Sequence, residues 1–420
     1  MSFQIALSGL DASRTDLEVT SNNIANSRTT GFKEGRTEFG DVFATSINDS
    51  SATAPGRGVR VNRIAQQFSQ GTVDFTSRNL DLAVNGDGFF VLEDDAGSLA
   101  YTRAGAFSAD KDGFIVDHKG QKLQIYPAEI NSDGSTSFTT GVLTDLQLPL
   151  SNSAPSATTL TTTAVNLDAA DSIPALAFDP ADPDTYNYST SATVYDSLGA
   201  SHTLSLYYDK TAANTWDIHA YIDGDTANPI NATNQQMTFD ASGNLATVSG
   251  APVSTSTSMT LGTYTTAFLG NGAADLNITL DLSDMTQYGG DFAVSNITQD
   301  GYATGRLSGL DIDAEGVAFA RYTNGQATAL GKVALAKFNS PQNLTKLGDT
   351  SWAESFASGQ ALLGEATTSS FGAIQSGALE QSNVDLAEQL VNLIVAQRTF
   401  QANSKVITTS DQILQTIIQI

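Results

Sequence analysis

The chain has 420 residues, no cysteine and a formal net charge of −25 at pH 7. That length supports several domains with sizeable cores, the missing thiols exclude disulfides and Cys-based catalysis or metal sites, and the charge argues against nucleic acid or anionic membrane as a partner. No apolar run is long enough to span a bilayer and the first charged residue is Asp11, so neither membrane insertion nor a cleaved secretory leader is expected.

In chain order, the first predicted element is a helix. Phe3, Leu10, Leu17 and Ile24 recur every seven residues, with Ala6, Ser13 and Thr20 on the second seam position. It belongs to a predicted terminal helical domain of residues 1–30 and 383–420. Asn22, Asn23 and Asn26 either cap this helix or make a contact between chains, and Gly31 suits a positive-φ stop. A Ser-, Thr-, Gly- and Arg-rich stretch over 31–75 reads as an extended connector. Short β-runs follow, set off by turn signals. Asn85-Gly86-Asp87-Gly88 precedes Phe89-Phe90-Val91-Leu92, and Asp112-Gly113 and Lys119-Gly120 precede two more runs, which predicts hairpins in an antiparallel domain.

At residue 150 the composition changes. Residues 150–297 hold fifteen Asp, no Glu and a single base, Lys210, which gives −14. Residues 151–163 read as a boundary or an edge strand, and strands are expected at 192–195, 203–208 and 216–222. A hairpin across Asn324-Gly325 then returns the chain to the earlier β-domain. The predicted fold class is therefore α+β and multidomain, with mainly antiparallel β-domains nested between coiled-coil-like terminal helices. An inner β-domain takes 76–149 and 298–382, and an inserted acidic β-domain takes 150–297.

The final element carries the stronger period. Leu386, Leu393, Phe400, Ile407 and Leu414 fall on one heptad line, which Asn403 and Ser410 interrupt alongside. Neither terminal helix can bury its apolar line alone, and such helices draw most of their stability from packing. Both ends are therefore expected to be partly disordered in the monomer and to order on association; an intramolecular helix pair satisfies the same period.

Several stretches resemble one family. Asn22-Asn23-Ile24-Ala25-Asn26, Thr29 and Gly31-Phe32-Lys33 are similar to the amino-terminal signature of bacterial flagellar rod and hook proteins. Residues 70–90 and 101–107 resemble the same group, as do Asn383, Asp385, Arg398 and Asn403 within 382–403. The insertion of nearly 150 residues and the run from Asp300 to Asp313 resemble the hook type rather than the rod type. This resemblance implies a structural subunit, not an enzyme, that polymerises with itself into a curved, flexible extracellular tube acting as a universal joint for motor torque. It further implies export without a cleaved signal through the flagellar type III apparatus. The implied partners are the distal rod, the hook-associated junction proteins and the hook cap.

Other chemistry finds little support. His118, His202 and His219 lack ligand spacing, and the calcium-like run from Asp311 to Glu315 places Tyr322 where a bidentate Glu belongs. No catalytic, cofactor or metal residue is assigned. The rival from another class is a secreted β-rich binding protein whose middle domain holds a ligand.

Overall fold

The computed structural model describes residues 2–42, 56–131, 135–230, 235–368 and 370–418. Three helices occur among them: α1 (Ser2–Ala25), α2 (Thr266–Leu269) and α3 (Leu386–Ile418). Apart from two short 3-10 turns, Pro183–Thr185 and Pro341–Asn343, the remaining regular structure is β, and nearly every pairing is antiparallel. The chain divides into two compact units, one built from 1–150, 308–321 and 327–420, the other from 151–307 and 322–326.

The first unit holds the two terminal helices, α1 and α3, and a 13-stranded sheet. Its strand Phe89–Glu93 shows why the run Phe-Phe-Val-Leu needs no polar alternation: both faces are covered. Phe90 and Leu92 point into a core with Leu82, Phe107, Leu123 and Val333. Phe89 and Val91 point the other way, among Tyr101, Tyr126, Phe338 and Trp352. The second core is locked by edge-on aromatic contacts, with Phe89 and Trp352 at 5.7 Å and Tyr101 and Phe338 at 4.8 Å.

Two expectations for this unit are corrected. Residues 31–75 were expected as an extended connector, yet they carry an antiparallel ribbon, β1 (Gly35–Asp41) and β2 (Val59–Gln66). The turn Asn85–Gly88 does not close a hairpin. The strand Leu82–Asn85 before it pairs with Ala373–Ser376, and the strand after it pairs with Leu99–Thr102.

The second unit packs two sheets around one core. Strands Tyr188–Tyr195, Ser201–Ala212 and Thr215–Ile222 begin a six-stranded sheet, and their alternating burial turns Leu204, Leu206, Tyr208, Trp216 and Ile218 inward. Residues 151–163 were expected as a boundary or an edge strand; their last residues begin Leu160–Asp168, an interior strand of the five-stranded sheet, with two parallel neighbours on one side and Ala293–Gln299 antiparallel on the other.

Part of the Asp content has a local purpose. Six turns share the pattern Asp-x-x-Gly-x, beginning at Asp94, Asp110, Asp117, Asp196, Asp240 and Asp313. In each, the Asp carboxylate accepts hydrogen bonds from the N–H groups two and four residues on. The glycines lie at φ between 80° and 85°, which side chains disfavour. The calcium-like run at Asp311–Glu315 is one of these turns.

At one such turn the second unit contains a charged bridge. His202 Nδ1 lies 2.6 Å from Asp223 and Nε2 lies 3.3 Å from the fully buried Asp196. Burial alone would lower the imidazole pKa, but hydrogen bonds to the two carboxylates outweigh it and raise it above the ordinary 6.5. A raised histidine contributes stability below its unfolded value and loses it as the pH rises through the folded one. Melting of the second unit, followed by Trp216 fluorescence in a Trp352→Phe chain, is thus expected at lower temperature as pH climbs above 6.5. His202→Gln should flatten that slope; an unchanged slope would show that the bridge does not titrate there.

Candidate functional site

The two terminal helices pack antiparallel on one another. Asn23, near the end of α1, donates to the Gln389 side chain at 3.1 Å, and Gly9 approaches Asn403. A β-carbon on Gly9 would lie 2.9 Å from the Asn403 amide, so the helices meet through small residues. Ala6, Ala12, Ser13, Thr20 and Asn23 are buried on α1, and Gln389 and Ala396 on α3. Asp385 opens α3 by accepting from the N–H of Ala387 at 2.8 Å. Ser8 fixes α1 to the ribbon by accepting from the N–H of Val59 at 3.2 Å.

The expected heptad line is not the seam used within the chain. Phe3 and Leu386 are exposed, while Leu10, Leu17, Ile24, Leu393, Phe400 and Ile407 are only half-buried beside the contact. The Leu414 side chain lies outside the described residues. Close approach of two backbones favours Ala, Gly and Ser at the contact, which pushes the large residues to its flanks. Beyond them α3 carries a further row. Val391, Val395, Val406 and Ile413 share one helical face and are 59%, 57%, 47% and 56% exposed. Between the helices and the ribbon opens a cavity of about 500 Å³ lined by Ile5, Ala12, Phe39, Val59 and Val395 among others.

A buried polar clamp ties the helix pair to the sheet. Lys33 donates to Glu380 at 2.6 Å and to the Ser69 carbonyl at 2.7 Å; Arg103 reaches the other Glu380 oxygen at 3.1 Å. The Lys33 and Glu380 side chains are 1% and 0% exposed. Burial pushes the Lys33 ammonium below its ordinary value, and its contact with Glu380 only partly offsets that. Gly31, at φ 69°, donates its N–H to the Glu380 carbonyl, and a side chain there would strike the Ala104 backbone. Glu34 continues the clamp: its N–H donates to Asn383 at 2.8 Å, and its carboxylate accepts from Gln389 at 2.9 Å. Burial raises the Glu34 pKa despite that bond. Asn383 also donates to the Gln67 carbonyl at 2.9 Å, and Asn23 brackets Gly35 through its N–H and its carbonyl.

The remaining motif residues divide. Asn22, Asn26 and Thr29 close the end of α1, with Asn26 donating to the Asn22 carbonyl at 3.0 Å and Thr29 to the Asn26 side chain at 3.2 Å. Phe32 is half-buried against the same turn. Arg398 is exposed on α3 and does not join the clamp. Sequence reasoning missed Arg103, Glu380, Gln389 and Glu34 as clamp members, because each signal is a lone polar residue far along the chain from its partner. Among the described residues no group of three or more His, Cys, Asp or Glu side chains could hold a metal ion, and no helix is long and apolar enough to cross a membrane.

Comparison with known proteins gives four family matches in chain order. Residues 3–33 match the flagella basal body rod protein model. Residues 83–156 match the flagellar hook protein FlgE/F/G D1 domain. Residues 166–302 match the flagellar basal body protein FlaE D2 domain. Residues 375–420 match the flagellar basal body rod FlgEFG protein C-terminal model. Over their full lengths, the chain is 39% identical to the flagellar hook protein FlgE of Escherichia coli and 38% identical to that of Salmonella typhimurium. It is 35% identical to that of Borreliella burgdorferi, covering 99% of this chain and 98% of that one. The crystal structure of Helicobacter pylori flagellar hook protein FlgE2 aligns with 73% of the chain and all of its own length, at a TM-score of 0.52 and 18% identity, which shows a shared fold.

Proposed function

The chain belongs to the flagellar hook protein family, and from that premise we propose that it is a structural subunit that assembles with copies of itself into the flagellar hook. The observation that carries this reading is the exposed apolar row of α3, on a helix that already commits Gln389 to α1. A contiguous apolar face left open marks an interaction site. Copies that meet through two different surfaces of the same chain build an open helical array wherever the rotation between neighbours does not close a ring.

The finer reading is a curved extracellular tube that transmits torque as a universal joint. In it the clamp holds each helix pair rigidly to its own sheet, while the polar β-surfaces of neighbouring copies slide as the tube bends. The acidic second unit, with few apolar contacts to break, suits that sliding. The remaining partners in this reading are the distal rod, the junction proteins, the cap and the type III export apparatus, through which the chain passes without a cleaved leader. The role is structural rather than catalytic.

Electron microscopy of the chain, seeded with sheared polymer, tests the reading beside a chain lacking 2–25 and 386–418. Tubes are expected from the full chain alone. Equal tubes from both would place assembly in the β-units and overturn the role given to the helices.

A further inference from the structure

A polar cavity of about 420 Å³ lies in the first unit, between the end of α1 and the hairpin formed by strands Thr345–Gly348 and Ser351–Ala353. Its lining includes Asn22, Asn26, Phe32, Lys346, Asp349 and Trp352. The Trp352 indole is held in place, donating to Gln66 at 2.7 Å. Most charges at the cavity are already matched. Lys33 is bound to Glu380, and Asp349 pairs with Lys119 at 3.1 Å. Glu18, on an adjoining cavity that Lys346 also lines, pairs with Arg14 at 3.0 Å.

Lys346 is the exception. Among the described residues no carboxylate lies within ion-pair distance of its ammonium, and desolvation lowers its pKa with nothing to offset the effect. Lys346 is exposed on its hairpin yet partly desolvated at the cavity that Phe32 and Trp352 also line, where reduced screening strengthens its attraction to an incoming anion.

We infer that this cavity receives a carboxylate side chain from a second copy of the chain, which pairs with Lys346. The inference rests on the assembly reading above. Charge favours that occupant: each copy carries 45 acidic residues against 20 basic ones, so a neighbouring copy offers carboxylates in excess, and Lys346 is a cavity cation that no carboxylate among the described residues pairs with. Supply of the same anion by a free small molecule would not depend on assembly. The carbonyl end of α1 beside the cavity also favours a cation, and that purely internal role is the competing outcome.

The experiment compares the full-length chain with Lys346→Ala and Lys346→Arg, each seeded with sheared polymer. Lys346→Ala is expected to raise the concentration needed for tube growth about tenfold, consistent with loss of a well-placed charge pair at an interface, and Lys346→Arg to restore most of it. The monomer's melting temperature should not fall in either variant. Zero-length carbodiimide coupling of assembled tubes, read by mass spectrometry, should join Lys346 to an Asp or Glu of another subunit. Unchanged growth of Lys346→Ala, or coupling only to Glu18 or Asp349 of the same chain, would overturn the inference while leaving the assembly reading intact. An unaltered chain that forms no tubes would defeat both.

Discussion

Replacing Glu380 with Gln is expected to cost the first unit about 3–5 kcal/mol, the loss typical of breaking a buried ion pair from one side. The Glu380 carboxylate answers two buried cations, Lys33 and Arg103, and also accepts the N–H of Gly71 at 3.0 Å. Gln keeps the shape and one acceptor but leaves both positive charges in a low-dielectric setting. Arg103 cannot shed its proton at any ordinary pH, whereas Lys33, already depressed by burial, can. The sign of the pH dependence follows. Between the depressed folded value and the ordinary 10.5 the unfolded state binds the extra proton, so the variant's stability rises with pH across that window. Guanidinium unfolding, followed by Trp352 fluorescence in a Trp216→Phe background, measures both effects. These are the chain's only two tryptophans, one in each unit. A loss under about 1 kcal/mol would match a solvated pair rather than a buried one.

The triple change Val391→Ser, Val395→Ser, Val406→Ser is expected to raise the concentration needed for assembly steeply and leave the monomer folded. The three side chains are roughly half exposed, so little in-chain packing is lost. Ser and Val have similar helix propensities, so α3 should persist in far-ultraviolet circular dichroism. If each valine is buried on assembly, the variant forfeits about 1 kcal/mol per site at the usual value per area. Three sites then raise the critical concentration on the order of 100-fold, at 1.4 kcal/mol per tenfold. Sedimentation of polymer against total protein reads this directly.

The sequence made the terminal helices legible but not their faces. A seven-residue period marks Phe3, Leu10 and Leu17 because they are large, yet the in-chain contact uses Ala6, Gly9, Ser13 and Thr20, where backbones approach closely. Periodicity reports that a stripe exists; it does not say whether the same chain or a neighbour covers it. The β1–β2 ribbon was illegible because its buried positions are not apolar: in β1 the inward residues are Gly35 and Thr37, while Phe39 is exposed. The clamp was illegible for another reason: Lys33 and Glu380 stand 347 positions apart, and Arg103 and Glu380 stand 277 apart. The Asp-x-x-Gly turns, by contrast, are fully written in the sequence once the carboxylate's two backbone donors are known. They account for acidic residues that charge counting alone assigns to solubility.

The central claim is that α3 faces inward to α1 in the single chain and outward to other copies in the hook. Electron microscopy of the triple valine variant beside the unaltered chain, at equal concentration and with equal seeding, tests it most directly. The account predicts long tubes from the unaltered chain and only monomers from the variant, with both monomers melting alike. Tubes of equal number and length from the variant would mean that the exposed row of α3 does not build the hook.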